Sequence, residues 1–422
     1  MQVILEKKIN WFISYVYFYI FMLPWNFFKS QVAITSLILL VWAFIKYKKA
    51  LFVKTKELSK FLPITLLFLF FLYSFISVLW SDPIIRGFNH VLNFEKYYFI
   101  FVPVLLVSLD KNKAIIGLKV LLLSFAFYSI YSILIYLGFF NSGEYGFQPG
   151  NPTGHLRYLI VSQYMVIAFF SSLFVLYYSD NKIEKLLFLL VSVLSFITLF
   201  INNSRTAQLS FIAILLILTI VFFKKNIFKI KNLALISLVI LGVVYFLTQG
   251  NRFERYKLSY IEMKKAINEN IYDGSFGLRL YLTKTGFEIF SKNILFGTGP
   301  KDNRKILMDI AREDPYYRGA KDEKDLLNHF HSEQMDTLTA YGLVGYSLLF
   351  FSIVFLIYKL RKQPLFYYLS LIVFLTLFIN SFANKTLSVK PLNYVYIIFF
   401  ILFAIIAYNL EKNEKEKIEN NS

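Results

Sequence analysis

Only four histidines occur in 422 residues, and two of them stand in one short run, Asn328-His329-Phe330-His331-Ser332-Glu333-Gln334-Met335-Asp336. Histidine titrates close to neutral pH, so His331 in such a run can take a proton from a hydroxyl, with a carboxylate such as Glu333 to orient the ring. The same spacing supports two other readings. An extended segment would turn His329, His331 and Glu333 toward one metal ion, although no cysteine and no further histidine lies nearby to complete a ligand set. Histidines that cap a helix end or hydrogen-bond the backbone would serve structure alone. Asn328 and His329 are candidate contacts to a substrate.

Anion chemistry is suggested elsewhere, by three arginines without an obvious local partner. These are Arg157, Arg205 within Asn202-Asn203-Ser204-Arg205-Thr206, and Arg279 within Gly277-Leu278-Arg279-Leu280. Each alone could be an anchor that snorkels to lipid headgroups. Together, three guanidinium groups suit a diphosphate, which takes several bidentate donors. Arg279 also opens a stretch of helical spacing, Leu278 to Phe290, whose free N–H groups and dipole favour an anion. Phe296-Gly297-Thr298-Gly299-Pro300 then breaks that helix. A lone Gly-Thr-Gly is weak evidence for phosphate binding and is more often a plain turn.

The elements that must position these groups are membrane helices. Hydrophobic residues make up 57% of the chain and charged residues only 17%, and the mean hydropathy of +0.56 is far from that of a water-soluble domain. Stretches of about 20 apolar residues, the length that crosses about 30 Å of hydrocarbon, recur with short charged breaks. Leu66 to Val78 and Leu348 to Ile357 are apolar on nearly every side, unlike the alternating strands of a barrel.

The expected fold is therefore an all-α polytopic membrane protein with about twelve transmembrane helices. Spans one to nine occupy residues 1–248, a long polar loop occupies 249–336, and spans ten to twelve occupy 337–408. Spans are expected near 10–27, 31–47, 61–80, 95–109, 114–139 and 156–178, then 184–201, 206–223, 232–248, 337–358, 365–383 and 391–408. Residues 409–422 read as a solvated, disordered tail. Within the long loop, Tyr256, Tyr260, Met263 and Ile267 recur at helical spacing, as in an amphipathic helix at the lipid surface.

Short loops on alternate sides differ about threefold in Lys and Arg. That asymmetry puts both termini in the cytoplasm and the long loop outside, which in a Gram-negative bacterium is the periplasm. The formal charge of +19 then belongs mainly to cytoplasmic loops facing anionic lipid and does not call for nucleic acid. With no cysteine, disulfides and thiolate chemistry are excluded. The first apolar segment runs on into further spans without a small-residue cleavage site, as a signal anchor does. All four histidines fall on the outward side.

In this order, these features resemble the O-antigen ligase and O-antigen polymerase superfamily, which includes the bacterial O-linked oligosaccharyltransferases. The resemblance is carried by many spans, by Asn203-Ser204-Arg205-Thr206-Ala207 before a span, by Gly277-Leu278-Arg279 at a helix start, by Phe287 to Gly299 ending in Gly-x-Gly, and by His329-Phe330-His331-Ser332-Glu333 followed by Gly342-Leu343-Val344-Gly345. It covers residues 150 to 360 well. His331-Ser332-Glu333 stands where most members have His-Asn-Glu, and the pattern is most similar to that of the lipopolysaccharide ligases.

The resemblance implies a cofactor- and metal-independent, inverting glycosyltransferase of the GT-C type in the inner membrane, with its active site at the periplasmic face. An undecaprenyl-diphosphate-linked glycan would be the donor and lipid A core the acceptor. Arg205 and Arg279, with Arg157, would hold the diphosphate, and His331 would be the base, with Glu333 orienting or anchoring the site. Polymerisation of repeat units, or transfer to protein hydroxyls, would use the same donor and differ only in the acceptor. A transporter or flippase is the contrasting class, but it requires charged or broken helices at mid-membrane in two related halves, and the sequence has neither.

Overall fold

The computed structural model describes residues 10–28, 30–140, 151–223, 252–313 and 329–419, with scattered positions between 229 and 248. Among these residues the chain is helical and without strands. Among the described residues nine helical segments are long and apolar enough to cross a membrane, and two shorter apolar helices precede them.

The short ones come first: α1 is Trp11–Met22 and α2 Gln31–Tyr47. At 1.5 Å per residue, α1 reaches only about 18 Å, less than the expected first span of 10–27. It stops at Met22 because Pro24 disfavours helix at the residue before it. Next, α3 (Lys49–Leu58) is a lysine-rich helix where a loop was expected, and α4 (Leu62–Ile76) continues into a 3-10 turn ending at Trp80.

The expected fourth span, 95–109, is longer than foreseen. It consists of α5 (Ile84–Glu95) and α6 (Tyr98–Ser108), which run in succession. Polar residues every third or fourth position in α5 (Arg86, Asn89, His90, Asn93) mask its helix in a hydropathy reading, while Ile84, Ile85 and Phe88 are exposed on it.

The centre of the bundle is built from α7 (Lys111–Tyr136), α8 (Tyr158–Tyr178) and the last helix. Burial separates centre from rim. The apolar window of α8 is 83% buried and that of the last helix 89%, against 39% for α9 (Lys182–Ile201). Apolar side chains left outward on α9, such as Leu186 and Leu190, suit lipid as their solvent. Small polar residues (Ser124, Ser129, Ser162, Ser171) line the inner contacts, where they let helices approach closely. The side chains of Asp110 and Asn181 cap α7 and α9 by accepting amides of the first turn.

From Arg205 runs α10 (Arg205–Leu218), followed by one π turn. The expected span at 232–248 lies mostly outside the described residues. The long loop contributes α11 (Arg252–Asn268), α12 (Gly274–Lys292) and α13 (Asp302–Glu313). Helix α11 docks on α10 through Tyr256, whose hydroxyl donates to Gln208 at 3.0 Å. Three helices close the chain: α14 (Glu333–Leu360), α15 (Pro364–Ser381) and α16 (Lys390–Glu419). The last of these stays helical to Glu419, into the stretch whose composition suggests a solvated tail. Pairs such as Lys359 with Glu411 at 2.7 Å and Lys362 with Glu414 at 2.8 Å tie it to the end of α14.

Helix α14 is broken once. Gly342 sits at φ 64, ψ −166, a conformation that only glycine adopts cheaply. Regular helical bonding is replaced there by a reciprocal exchange with the turn after α12. The amides of Leu343 and Val344 donate to Ile294 and Leu295 at 2.8 and 3.1 Å, and the amides of Thr298 and Gly299 donate to Thr339 and Ala340 at 2.8 and 3.0 Å. A Cβ on Gly342 would lie 2.3 Å from the Leu295 oxygen, and one on Gly297 would lie 2.5 Å from Ala340. The Gly-x-Gly turn and the Gly-Leu-Val-Gly motif are thus two halves of one clasp. Tyr73 of α4 locks it by donating to the Phe296 and Tyr341 carbonyls at 3.0 and 3.1 Å.

Candidate active site

The clasp fixes α14 against α12, and His329 to Ser332 enter α14 over a small core of their own. Phe330 is fully buried with Tyr281, Leu282, Ile289, Leu307 and Met335, and Gly286 of α12 leaves room for its ring. Burying the residue between them sets His329 and His331 side by side, ring centroids 3.9 Å apart. His331 takes a left-handed φ of 51, a strained conformation of the kind found at functional sites. Its amide donates to Nδ1 of His329 at 3.0 Å, so the neutral His329 ring carries its proton on Nε2. Burial, followed by the charges of Arg279 and Lys385, lowers His331 to about 4. His329 is depressed further, mainly by burial and then by Lys385. Both rings are therefore neutral near pH 7.

Ser332 caps α14, accepting the Met335 amide at 3.3 Å while donating to the Ser381 carbonyl at 3.1 Å. Glu333 makes no hydrogen bond to His331 among the described residues. Its carboxylate accepts the amides of Thr386 and Ser388 at 2.9 and 3.0 Å and the Ser388 hydroxyl at 2.8 Å. Glu333 anchors the turn between α15 and α16 instead, and with it Lys385. The His-x-His-Ser-Glu pattern does not close into a ligand set here, and no group of three His, Asp or Glu side chains suited to a metal occurs among the described residues.

Arg279 lies in the first turns of α12. Gly277 permits this start, because a Cβ there would lie 2.7 Å from the Tyr272 backbone. The guanidinium donates to the Ser275 carbonyl and hydroxyl at 2.9 and 2.7 Å and to the Ala383 carbonyl at 3.1 Å. No carboxylate forms an ion pair with it among the described residues. The nearby Glu262 instead accepts the Phe276 amide at 2.7 Å. Burial, and then Arg205, lowers Arg279 from its usual range, which places Arg205 close by at the start of α10. Arg205 donates to the Ser259 hydroxyl of α11. Arg157, exposed at the N-cap of α8, is near enough to depress His329. Asn328 lies outside the described residues.

Arg205, Arg279, Arg157, His329 and His331 thus gather on one end of the bundle. The structure adds residues that sequence reasoning missed. Lys385 is half-buried, and desolvation, with Arg304 nearby, brings it down to about 7. Arg304 pairs with the buried Asp336 at 3.6 Å. Lys301 and His90 line a cavity next to that pair. The available signal for Lys385 was that it is among the few cations in the short lysine-poor loops, whereas Lys301 is one of many cations in the long loop and carried none.

No curated protein matches the chain. Residues 190–350, which include Arg205, Arg279, His329, His331, Glu333 and both halves of the glycine clasp, match the O-antigen ligase family model, and over that stretch this multi-pass membrane protein is similar to the O-antigen ligases.

Proposed function

We propose that the protein is an O-antigen ligase of the GT-C type, transferring a glycan from undecaprenyl diphosphate to lipid A core at the periplasmic face of the inner membrane, both termini being cytoplasmic. The observation that carries this reading is a neutral, strained His331 beside Arg279 and Lys385, cations with no carboxylate bound to them among the described residues. A buried cation without a counter-ion favours an anionic ligand.

In the proposed reaction an acceptor hydroxyl gives its proton to His331 as its oxygen attacks the anomeric carbon, and the bond from that carbon to the diphosphate oxygen breaks with inversion. Negative charge grows on the leaving diphosphate, where Arg205 and Arg279, with Arg157, stabilise it. His331 suits the proton transfer because its basic form is already present at neutral pH. Glu333 acts through position, holding the turn that bears Lys385. No metal or organic cofactor takes part.

The test is a strain lacking the protein, complemented with wild type, His331→Ala or Arg205→Ala at equal membrane abundance, with lipopolysaccharide resolved by gel. Ligation predicts bare core, accumulated undecaprenyl-linked polymer and no ladder from either variant. Core carrying a single repeat unit would mean polymerisation instead. An unaltered core ladder with loss of a glycoprotein would mean transfer to protein.

A further inference from the structure

A second cationic site lies on the same end of the bundle and takes no part in the chemistry above. It forms where the start of α5 meets the start of α13. Asp302 accepts the Asp82 amide at 2.7 Å, Lys305 pairs with Asp82 at 3.4 Å, and the Ser81 hydroxyl donates to the Pro300 carbonyl at 3.3 Å. Gly87 and Gly299 allow this approach, since a Cβ on either would lie 2.7 Å from the Ser81 hydroxyl oxygen. The result is a fixed corner that holds Arg86, His90 and Lys301 around one opening, with Lys390 at its edge.

Lys301 is the notable member. It holds a left-handed φ of 79, is half-buried, and its ammonium makes no hydrogen bond or ion pair among the described residues. Burial, then Arg304 and Arg86, bring its ammonium down to about 8, a cost that a bound anion would relieve. Behind the opening, His90, Lys301 and Arg304 line the mouth of a cavity whose inner wall is apolar, with Phe70, Leu349 and Phe374. The three acidic groups of this cavity are already engaged: Asp336 with Arg304, Glu95 with the Ser74 hydroxyl at 2.5 Å, and Glu333 with the Thr386 and Ser388 amides. Leu67, Phe71 and Tyr98 belong both to the cavity and to an apolar groove between α2, α3, α4 and α6, walled by Phe44, Phe68 and Phe99. A cationic head site that opens into an apolar groove fits an amphiphile with an anionic head.

We propose that this corner binds the acceptor lipid through a phosphate ester on its sugar headgroup, with acyl chain in the groove. The assignment rests on the proposed function, in which Arg205 and Arg279 hold the donor. His329 feels charges of both groups, Arg304 from one and His331 and Arg157 from the other, and Lys385, which feels Arg304 and Lys301, acts in turn on His331. The acceptor hydroxyl would thus reach His331 from the side opposite the donor diphosphate. Arg86 supplies a planar fork and Lys301 a point charge, a pair suited to phosphate.

The experiment uses the full chain in detergent and measures binding of three probes: phosphorylated lipid A with its core sugars, the same lipid after phosphatase treatment, and undecaprenyl diphosphate. Wild type, Lys301→Gln, Arg86→Ala and Arg279→Ala are compared, each checked for an unchanged thermal midpoint. Lys301→Gln and Arg86→Ala are expected to weaken the phosphorylated lipid by about tenfold each, as for one lost hydrogen bond to a charged group. Neither should alter undecaprenyl diphosphate, and the dephosphorylated lipid should bind wild type and both variants equally weakly. The proposal is overturned if wild type does not distinguish the two lipid A forms, if inorganic phosphate at millimolar concentration displaces the lipid completely, or if Lys301→Gln loses undecaprenyl diphosphate instead. Failure of the functional reading shows separately, as Arg279→Ala binding undecaprenyl diphosphate like wild type.

Discussion

The two ends of the helical bundle treat positive charge in opposite ways. At the end formed by the starts of α7 and α9 and the close of α14, lysines meet carboxylates: Lys362 with Glu414 at 2.8 Å, Lys359 with Glu411 at 2.7 Å, Lys119 with Glu184 and Lys113 with Asp110. At the other end, Arg279 is held by carbonyls and a hydroxyl, Lys385 and Lys301 have no ion pair among the described residues, and Arg304, Lys305 and the exposed Arg312 find carboxylates. Paired surface charges are worth little and mark a solvated face. Half-buried cations kept apart from carboxylates are costly to fold. Under the proposed function, that is the end at which an anion completes the structure, and variants there should have the larger effects.

The largest effect is expected at His331. His331→Ala should lower glycan transfer by about 10²–10⁴-fold, the usual contribution of a positioned base, measured as product formed at saturating donor. Arg279→Ala should also be severe, while Arg279→Lys should recover little, because a point charge cannot make the same fork of bonds to Ser275 and Ala383.

Next comes the clasp that carries the site. Gly342→Ala forces a Cβ to within 2.3 Å of the Leu295 oxygen and should cost about 2–4 kcal/mol from strain and overpacking. It should lower the thermal midpoint of the purified protein and the activity together. Tyr73→Phe, which deletes one hydroxyl shared by two carbonyls, should cost about 1–2 kcal/mol.

A smaller and pH-dependent effect belongs to Lys385, whose charge is lost as pH rises through about 7. Donor affinity should therefore decline above neutrality in wild type. In Lys385→Arg, which stays charged, that alkaline decline should disappear from a KM profile between pH 6 and 9. His331 has the opposite sense. Its basic form is lost only as pH falls through about 4, so the acid limb of kcat/KM for the free enzyme should lie well below the ordinary histidine range near 6.5. The smallest effect is expected at the opposite end: Lys362→Ala, which breaks an exposed pair, should change stability by less than about 0.5 kcal/mol and leave transfer untouched.

Much of this architecture was legible in the sequence, because lipid as solvent demands long apolar helices and leaves a strong signal. The three helices that escaped, α3, α5 and α13, are those whose polar residues recur at helical spacing. Arg205, Arg279, His329 and His331 could be singled out as types that are rare on the lysine-poor side. Their arrangement could not. Gly297 and Gly342 each read as an ordinary turn or packing residue, and only their meeting across 45 positions of chain shows that they exist for one another. Glu333 looked like a partner for histidine through adjacency, yet a residue later in the chain, Ser388, accounts for both of its oxygens together with Thr386. Lys301 and Lys385 are single lysines in short turns, indistinguishable from lipid anchors until their lack of counter-ions is visible.

In the proposed reaction His331 performs the chemistry while Arg279 holds the donor. Steady-state transfer from an undecaprenyl-diphosphate glycan to lipid A core by the purified full chain, combined with donor binding for the same preparations, separates the two roles. His331→Ala is expected to bind donor with wild-type affinity and transfer almost nothing, whereas Arg279→Ala is expected to lose donor affinity. Transfer by His331→Ala at the wild-type rate, or unaltered donor binding by Arg279→Ala, would contradict it.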